Sequence, residues 1–418
     1  MLYRILSPIV KKGFQHFFSH IEVHGKENWP AKKPLILVAN HQNAMLDPVV
    51  ICVHAPVTLN WLTRADVFKN PKIDWLLRKM HMLPVYRERD KVGNLHSINQ
   101  ITFDEVNKRL IGESTICIFP EGTHRGKKQL HHLKKGVARM AHTAYLSGVK
   151  DLCIIPVGLD YEDFYNYQKK LLITIGKPIP VASFFEGPRD DARQQQRLLQ
   201  VIKTELSKVM VNIHEEDWYN DLMALRPFSD SAAKSKILSE QFDHYQNTYT
   251  AIQQDEGMRD KVFALLQKTL KIGNDIGLKE SRLQLSPGSA MVWWILLAVP
   301  ALIGMVCWYP LFAITESTQK KIVKDPLFKN SIRLVFWTFG GIIWWLILVL
   351  GSRLFTLSWS LSIGFAMAGY LCGIAGLFWL RQNQSVRNFF RTYQVKQSHP
   401  DEFAQWMKLR EELISIIS

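Results

Sequence analysis

The chain runs to 418 residues, 47% of them hydrophobic and 21% charged, which is room for two or three domains of ~100–200 residues with buried cores. Between Ala290 and Ile314, and again between Leu334 and Leu380, Arg353 is the only charged side chain; such runs match the ~20 residues that cross a hydrocarbon layer and exclude a purely cytosolic protein. The net charge of +15 arises from 52 Lys and Arg against 37 Asp and Glu, and with no zinc-finger spacing or RNA-recognition signature it points away from nucleic acid and toward an anionic bilayer or a phosphorylated small molecule.

Residues 1–20 place Leu2, Ile5, Leu6, Ile9, Val10, Phe14, Phe17 and Phe18 at helical spacing, interrupted by Arg4, Lys11 and Lys12. No small-residue cleavage site follows, so a signal peptide is not expected. The stripe predicts an interfacial amphipathic helix, with packing on the protein's own core as the alternative. From 21 to 185 short apolar runs alternate with helix-period stretches. Strands are expected at Leu35–Ala39, Leu59–Thr63, Met82–Tyr86, Thr115–Phe119, Cys153–Val157 and Leu171–Ile175, and helices at Pro48–His54, Leu95–Ile111 and Lys134–Leu146. Leu35–Val38, Ile116–Phe119 and Ile154–Val157 are continuously apolar, as strands covered on both faces are. The fold class expected is α/β, a central mostly parallel sheet flanked by helices.

Residues 186–285 are polar and helical, with Leu198, Leu199, Val201, Ile202, Leu206, Val209, Met210 and Ile213 on one stripe, and predict a helical subdomain. Residues 286–381 predict a membrane region, with spans at about 334–350 and 355–380 joined through Gly351–Leu354. Lys320, Lys321, Lys324, Lys329 and Arg333 precede this pair, and Arg381, Arg387, Arg391 and Lys396 follow it. The positive-inside rule puts both flanks, and with them the tail 382–418, on the cytoplasmic side of the membrane, and the α/β domain with its reduced cysteines is expected there too. The segment 290–314 is then a re-entrant hairpin bent near Pro300, or a simple third span. Cys52, Cys117, Cys153, Cys307 and Cys372 are odd in number and sit in apolar stretches; they read as reduced, buried thiols without metal-ligand spacing.

After the first expected strand comes Asn40-His41-Gln42-Asn43-Ala44-Met45-Leu46-Asp47-Pro48. On one helix a separation of six turns the two side chains about 240° apart, so His41 and Asp47 meet only if the chain turns between them, with Asp47 as N-cap before Pro48. Phe119-Pro120-Glu121-Gly122-Thr123-His124-Arg125 follows the strand at Thr115–Phe119. Pro84-Val85-Tyr86-Arg87 ends another strand, and Lys134-Lys135-Gly136 precedes a helix. These cations fall where open α/β sheets bind ligands, and Arg and Lys there suit a phosphate.

Together the blocks Asn40-His41…Asp47, Val85-Tyr86-Arg87, Phe119–Arg125 and Ile155-Pro156-Val157 resemble, over about residues 20–185, the glycerophospholipid acyltransferase family. That family includes lysophosphatidate, glycerol-3-phosphate and dihydroxyacetone-phosphate acyltransferases. Five residues separate His41 from Asp47 where most members have four, as in the branch of yeast-type glycerol-3-phosphate/dihydroxyacetone-phosphate enzymes. The resemblance implies a membrane-bound O-acyltransferase of phospholipid synthesis, with acyl-CoA or acyl-carrier protein as donor and glycerol-3-phosphate or 1-acylglycerol-3-phosphate as acceptor. A remodelling acyltransferase or transacylase and a non-catalytic lipid-binding scaffold are the alternatives; the presence of His41 and Asp47 speaks against the scaffold.

For an alcohol to attack a thioester, a base must take the hydroxyl proton, and an imidazole near neutral pKa suits the task. His41 is expected as that base and Asp47 as its partner. Arg87, Glu121, Gly122, Thr123 and Arg125 are the acceptor-binding residues that the resemblance implies, and Lys134 and Lys135 are weaker candidates for phosphate groups. His124, His131 and His132 read as loop residues. No metal and no cofactor beyond the acyl donor are expected, and the partners expected are that donor, the phosphorylated glycerol acceptor and anionic membrane lipids, not nucleic acid. The chain lacks a Gly-x-Ser-x-Gly elbow, which is consistent with direct attack and no acyl-enzyme.

Overall fold

The computed structural model describes residues 2–30, 34–87, 90, 93–185, 191–355 and 358–418. The chain divides into two compact units, the first comprising Met1–Asn212 with Val323–Leu334 and the second Ile213–Ile322 with Val335–Ser418.

The first unit is built on an eight-stranded sheet among the described residues. Its strands are β1 (His20–His24), β2 (Leu35–Ala39), β3 (Leu59–Arg64), β4 (Met82–Val85), β5 (Thr115–Ile118), β6 (Cys153–Tyr161), β7 (Lys170–Ile175) and β8 (Ile179–Pro180). The order is β1-β7-β6-β2-β5-β3-β4, with β8 paired to β6. All pairings are parallel except β6 with β7 and β6 with β8. Every residue of β2 and of β6 is buried, and their unbroken apolar runs reflect cover on both faces. On one face Ile36, Val38, Ile116 and Ile154 pack with Val106 and Leu110 of α4 (Leu95–Ile111), Val137 and Ala141 of α5 (Gly136–Leu146), and Leu198, Ile202 and Leu206 of α7 (Asp191–Lys208). On the other, α1 (Leu2–Phe17) packs on α2 (Leu46–His54). Phe14, Phe17 and Phe18 are buried there, the Tyr3 hydroxyl donates to the Cys52 carbonyl at 3.2 Å, and Ile5 is exposed. Two short helices complete the unit, α3 (Pro71–Lys79) and α6 (Ala182–Phe185).

The strands and helices expected from periodicity are all present, Leu35–Ala39 and Leu95–Ile111 with the expected bounds and the others with shifted ends. The helix expected from Lys134 starts at Gly136, and β6 continues four residues past Val157 to Tyr161. β1 and β8, which the sequence reading did not anticipate, are short strands of alternating or minimal pattern. Gly158 in β6 is forced by proximity: a Cβ there would lie 1.7 Å from the Val209 carbonyl oxygen.

The second unit is helical. It contains α8 (Tyr219–Ala232), α9 (Leu238–Gln254), α10 (Glu256–Asp275), α11 (Gly288–Leu296), α12 (Ala298–Ile322), α14 (Gly341–Arg353), α15 (Trp359–Ser398) and α16 (Pro400–Ile417); α13 (Phe328–Val335) falls mostly in the first. Ile276, Leu278, Val395, Phe403 and Trp406 form an apolar cluster. Beside it the Arg410 guanidinium forks onto Glu280 at 2.6 and 2.8 Å, a bidentate pair of the kind that fixes geometry. Among the described residues three helices are long and apolar enough to cross a membrane: Ala298–Ile322, Phe328–Arg353 and Trp359–Ser398. The break in 290–314 falls at Leu297, between α11 and α12. Pro300 is the third residue of α12, where its missing N–H is not needed. The last apolar helix runs on past Leu380 to Ser398. The expected start of that span includes residues 356–357, which lie outside the described residues.

Candidate active site

β2 delivers its last residues to the edge where the parallel strands end. Asn40 extends the ladder with its side chain, donating to the Leu159 carbonyl at 3.0 Å and accepting from the Leu159 N–H at 2.7 Å. The chain then reverses through Ala44, whose φ of 44° is left-handed, and enters α2. The reversal brings His41 Nδ1 within 2.8 Å of Asp47 Oδ2. The same oxygen accepts the N–H groups of Gln42 and Asn43, each at 2.7 Å, and Oδ1 accepts the Tyr161 hydroxyl at 2.7 Å. Asp47 is fully buried, so its charge is sustained by four donors rather than by water. It is not the N-cap expected from the sequence. It is the second residue of α2, whose cap position is Met45, because its carboxylate is spent on the turn before the helix. Burial, with the Asp47 charge beside it, pushes the Tyr161 phenol far above its ordinary range, so Tyr161 acts there as a donor only.

With Nδ1–H donated to the carboxylate, a neutral His41 ring keeps its lone pair on Nε2. The ring is mostly covered. It stacks on Phe119 at 4.4 Å and 24°, and Phe119 in turn stacks on Trp61 at 6.4 Å. The His124 ring meets it edge-on at 5.3 Å.

β5 delivers the second loop. Glu121 is buried; its Oε1 accepts the His41 N–H at 2.7 Å and its Oε2 the His131 N–H at 3.0 Å. Burial raises its carboxyl to about 7, against the pull of those two bonds. The Arg125 N–H donates to the His41 carbonyl at 3.1 Å, and the Lys134 N–H to the Pro120 carbonyl at 2.8 Å. Gly122 takes the left-handed φ of 70° that the tight turn demands. The two loops are therefore knitted through backbone groups on either side of His41.

Residues 20–160 match the family model Acyltransferase. Over those residues the chain is similar to the acyltransferases that this model describes. An uncharacterized acyltransferase of Schizosaccharomyces pombe is 23% identical over 257 residues, 56% of this chain and 37% of that protein. The chain thus spans well under half the length of that relative. A 1-acyl-sn-glycerol-3-phosphate acyltransferase of Bacillus subtilis is 26% identical over 187 residues, covering 44% of this chain and 86% of the relative. The crystal structure of the 1-acyl-sn-glycerophosphate acyltransferase PlsC of Thermotoga maritima aligns with a TM-score of 0.36 and 20% identity, over 50% of this chain and 79% of that one.

Within the matched residues, His41, Asp47 and Glu121 are joined directly by hydrogen bonds. Gly122, Thr123 and Arg125 lie exposed on the same loop, as do Lys134 and Lys135 at the start of α5. Lys134 borders Gly122, its Cγ 3.7 Å from where a Cβ on that glycine would stand. Arg87 is engaged differently. Its guanidinium pairs with Asp90 at 3.1 Å and Asp66 at 3.5 Å, and the bond from Arg87 holds the Asp90 carboxyl below its usual range. The Cys52 and Cys117 thiols are pushed up by burial, which disfavours a thiolate nucleophile. Among the described residues no three His, Cys, Asp or Glu side chains converge as a metal site.

Sequence reasoning passed over Tyr161, whose signal was a polar residue ending a buried strand. It also passed over a buried ion pair between Lys128 and Asp160 and a contact between His124 and Asp325 at 2.9 Å. The last joins residues 201 apart, a separation at which no local pattern exists.

Proposed function

We propose that this chain transfers a fatty acyl group from a thioester donor, acyl-CoA or acyl-carrier protein, to a hydroxyl of glycerol-3-phosphate or 1-acylglycerol-3-phosphate. The observation that carries the reading is the 2.8 Å bond from His41 Nδ1 to a buried Asp47. It fixes the tautomer and leaves Nε2 as the base. Nε2 takes the acceptor's hydroxyl proton, the oxygen attacks the thioester carbon, and Asp47 stabilises the imidazolium. When the tetrahedral intermediate collapses, the C–S bond breaks and the leaving sulfur recovers the proton from Nε2. The exposed cations Arg125, Lys134 and Lys135 offer charge for the acceptor or donor phosphates. The name of the Bacillus relative favours 1-acylglycerol-3-phosphate as acceptor. The three apolar helices and the basic excess favour attachment to an anionic membrane, with the domain on the cytoplasmic side by the positive-inside rule.

Purified protein in lipid, given labelled acyl-CoA with each acceptor in turn, tests this. Wild type forms labelled product with one of them, and His41→Ala loses about a hundredfold or more of that rate. Product formation with neither acceptor, or undiminished transfer by the variant, rejects the assignment.

A further inference from the structure

The segment Val323–Leu334 follows one apolar helix and includes the first residues of the next, yet it folds as part of the first unit. It is anchored there at separate points. Asp325 Oδ2 lies 2.9 Å from His124 Nε2, and the Phe328 ring meets His124 edge-on at 5.3 Å. Leu327 fills the space beside Gly126, where a Cβ would stand 2.9 Å from it. The buried Asn330 donates its amide to the Phe164 carbonyl at 3.0 Å, and that carbonyl also accepts from Asn43 of the His41 turn at 3.2 Å. His124 is thus held from one side by Asp325 and Phe328, while its other contact is the His41 ring.

The geometry points to Asp325 as a positioning residue of the acyl-transfer site: it holds His124 so that this ring buttresses His41 against Phe119. The inference rests on the acyl-transfer reading, and it extends the site beyond the matched residues 20–160 to a segment some two hundred positions downstream. The stack on Phe119 sets the plane of His41, and the edge of His124 limits its rotation about Cβ–Cγ, so that Nε2 stays aimed at the acceptor. Burial draws the Asp325 carboxyl up, but the bond from His124 and the Leu327 N–H prevail and hold it below the ordinary range. Ionised Asp325 orients the ring best, since charge-assisted bonds are the stronger ones.

The test uses the full chain in lipid with Asp325→Asn, His124→Ala, the double variant, and His41→Ala as reference. Asp325→Asn is expected to lower kcat about tenfold with the acceptor KM unchanged. The double variant is expected to be no worse than the poorer single one, because both substitutions break one contact chain. A second readout is independent of turnover: the ring-nitrogen NMR signals of His41 and His124, assigned by their loss in the alanine variants. Asp325→Asn replaces a charge-assisted partner by a neutral one, so the His124 ring-nitrogen signal is expected to shift in that variant, and the His41 signal with it. Transfer that depends on His41 but is unaltered in Asp325→Asn overturns the positioning role while acyl transfer stands. So do additive losses in the double variant, or a His41 signal indifferent to Asp325→Asn. No transfer by wild type overturns both readings.

Discussion

His41 and Asp47 are six positions apart, and what joins them is a reversal whose backbone N–H groups are consumed by the same carboxylate that orients the imidazole. The chain makes that reversal through Ala44, whose backbone is left-handed. The orientation of the imidazole and the local folding therefore share one anion, which is why Asp47 is unavailable as a helix cap. Glu121 illustrates a related economy at the neighbouring loop. Its two oxygens accept N–H groups from His41 and His131, so its first task is to hold the loops together. Its folded value near 7 stands above the ordinary 4.5. The native state therefore keeps a proton that the unfolded chain sheds between those values, and stability falls as pH rises through that window. Glu121→Gln has no such titration. The stability of wild type minus that of the variant is expected to decline from pH 5 to pH 8 by up to ~3 kcal/mol, read from denaturation of the two proteins at each pH. A difference that stays level with pH refutes this account.

Among the elements, β6 carries the most. It pairs β2 in parallel and β7 and β8 antiparallel, supplies Tyr161 to Asp47, and passes so close to the chain after α7 that only hydrogen fits at Gly158. Gly158→Ala must push the strand and the Val209 backbone apart, costing about 3 kcal/mol in thermal or denaturant unfolding. Gly93→Ala, with nothing within 4 Å, is the matched control and is expected to be neutral. Equal stability of the two variants contradicts the close approach. The strands of the core were legible because burial on both faces leaves continuous apolar runs, as in Leu35–Val38 and Ile154–Val157. β1 was not, because an edge strand that alternates over His20–His24 gives too short a signal beside the helix before it. Helix ends were misplaced where side chains had other partners, as with Asp47.

At the scale of the molecule, the apolar helices pack by small residues and indole hydrogen bonds. A Cβ on Gly304 would stand 2.2 Å from the Cys372 carbonyl oxygen, so α12 and α15 meet backbone to backbone. Trp308 donates to the Gly369 carbonyl at 3.0 Å and Trp344 to the Cys307 carbonyl at 2.9 Å. Close approach of this kind is what stabilises helices in hydrocarbon, where apolar surface alone does not drive them together. Gly304→Val is expected to lower the thermal stability of the detergent-extracted protein by several degrees or about 2 kcal/mol, whereas Gly364→Val, facing open space, is expected to leave it unchanged. An unaffected Gly304 variant removes this contact from the account.

The sequence alone determined the α/β class, the apolar helices and the motif blocks of the site, since periodicity and short motifs are written within a few residues. It also determined that His41 and Asp47 need a turn between them. Only the tertiary structure decided what completes that site: Tyr161 beneath Asp47, the ring stack of His41 on Phe119 and Trp61, and Asp325 reaching His124 across 201 positions. Such contacts depend on where strand ends and a distant segment arrive in space. Nothing in the local run of residues encodes that meeting.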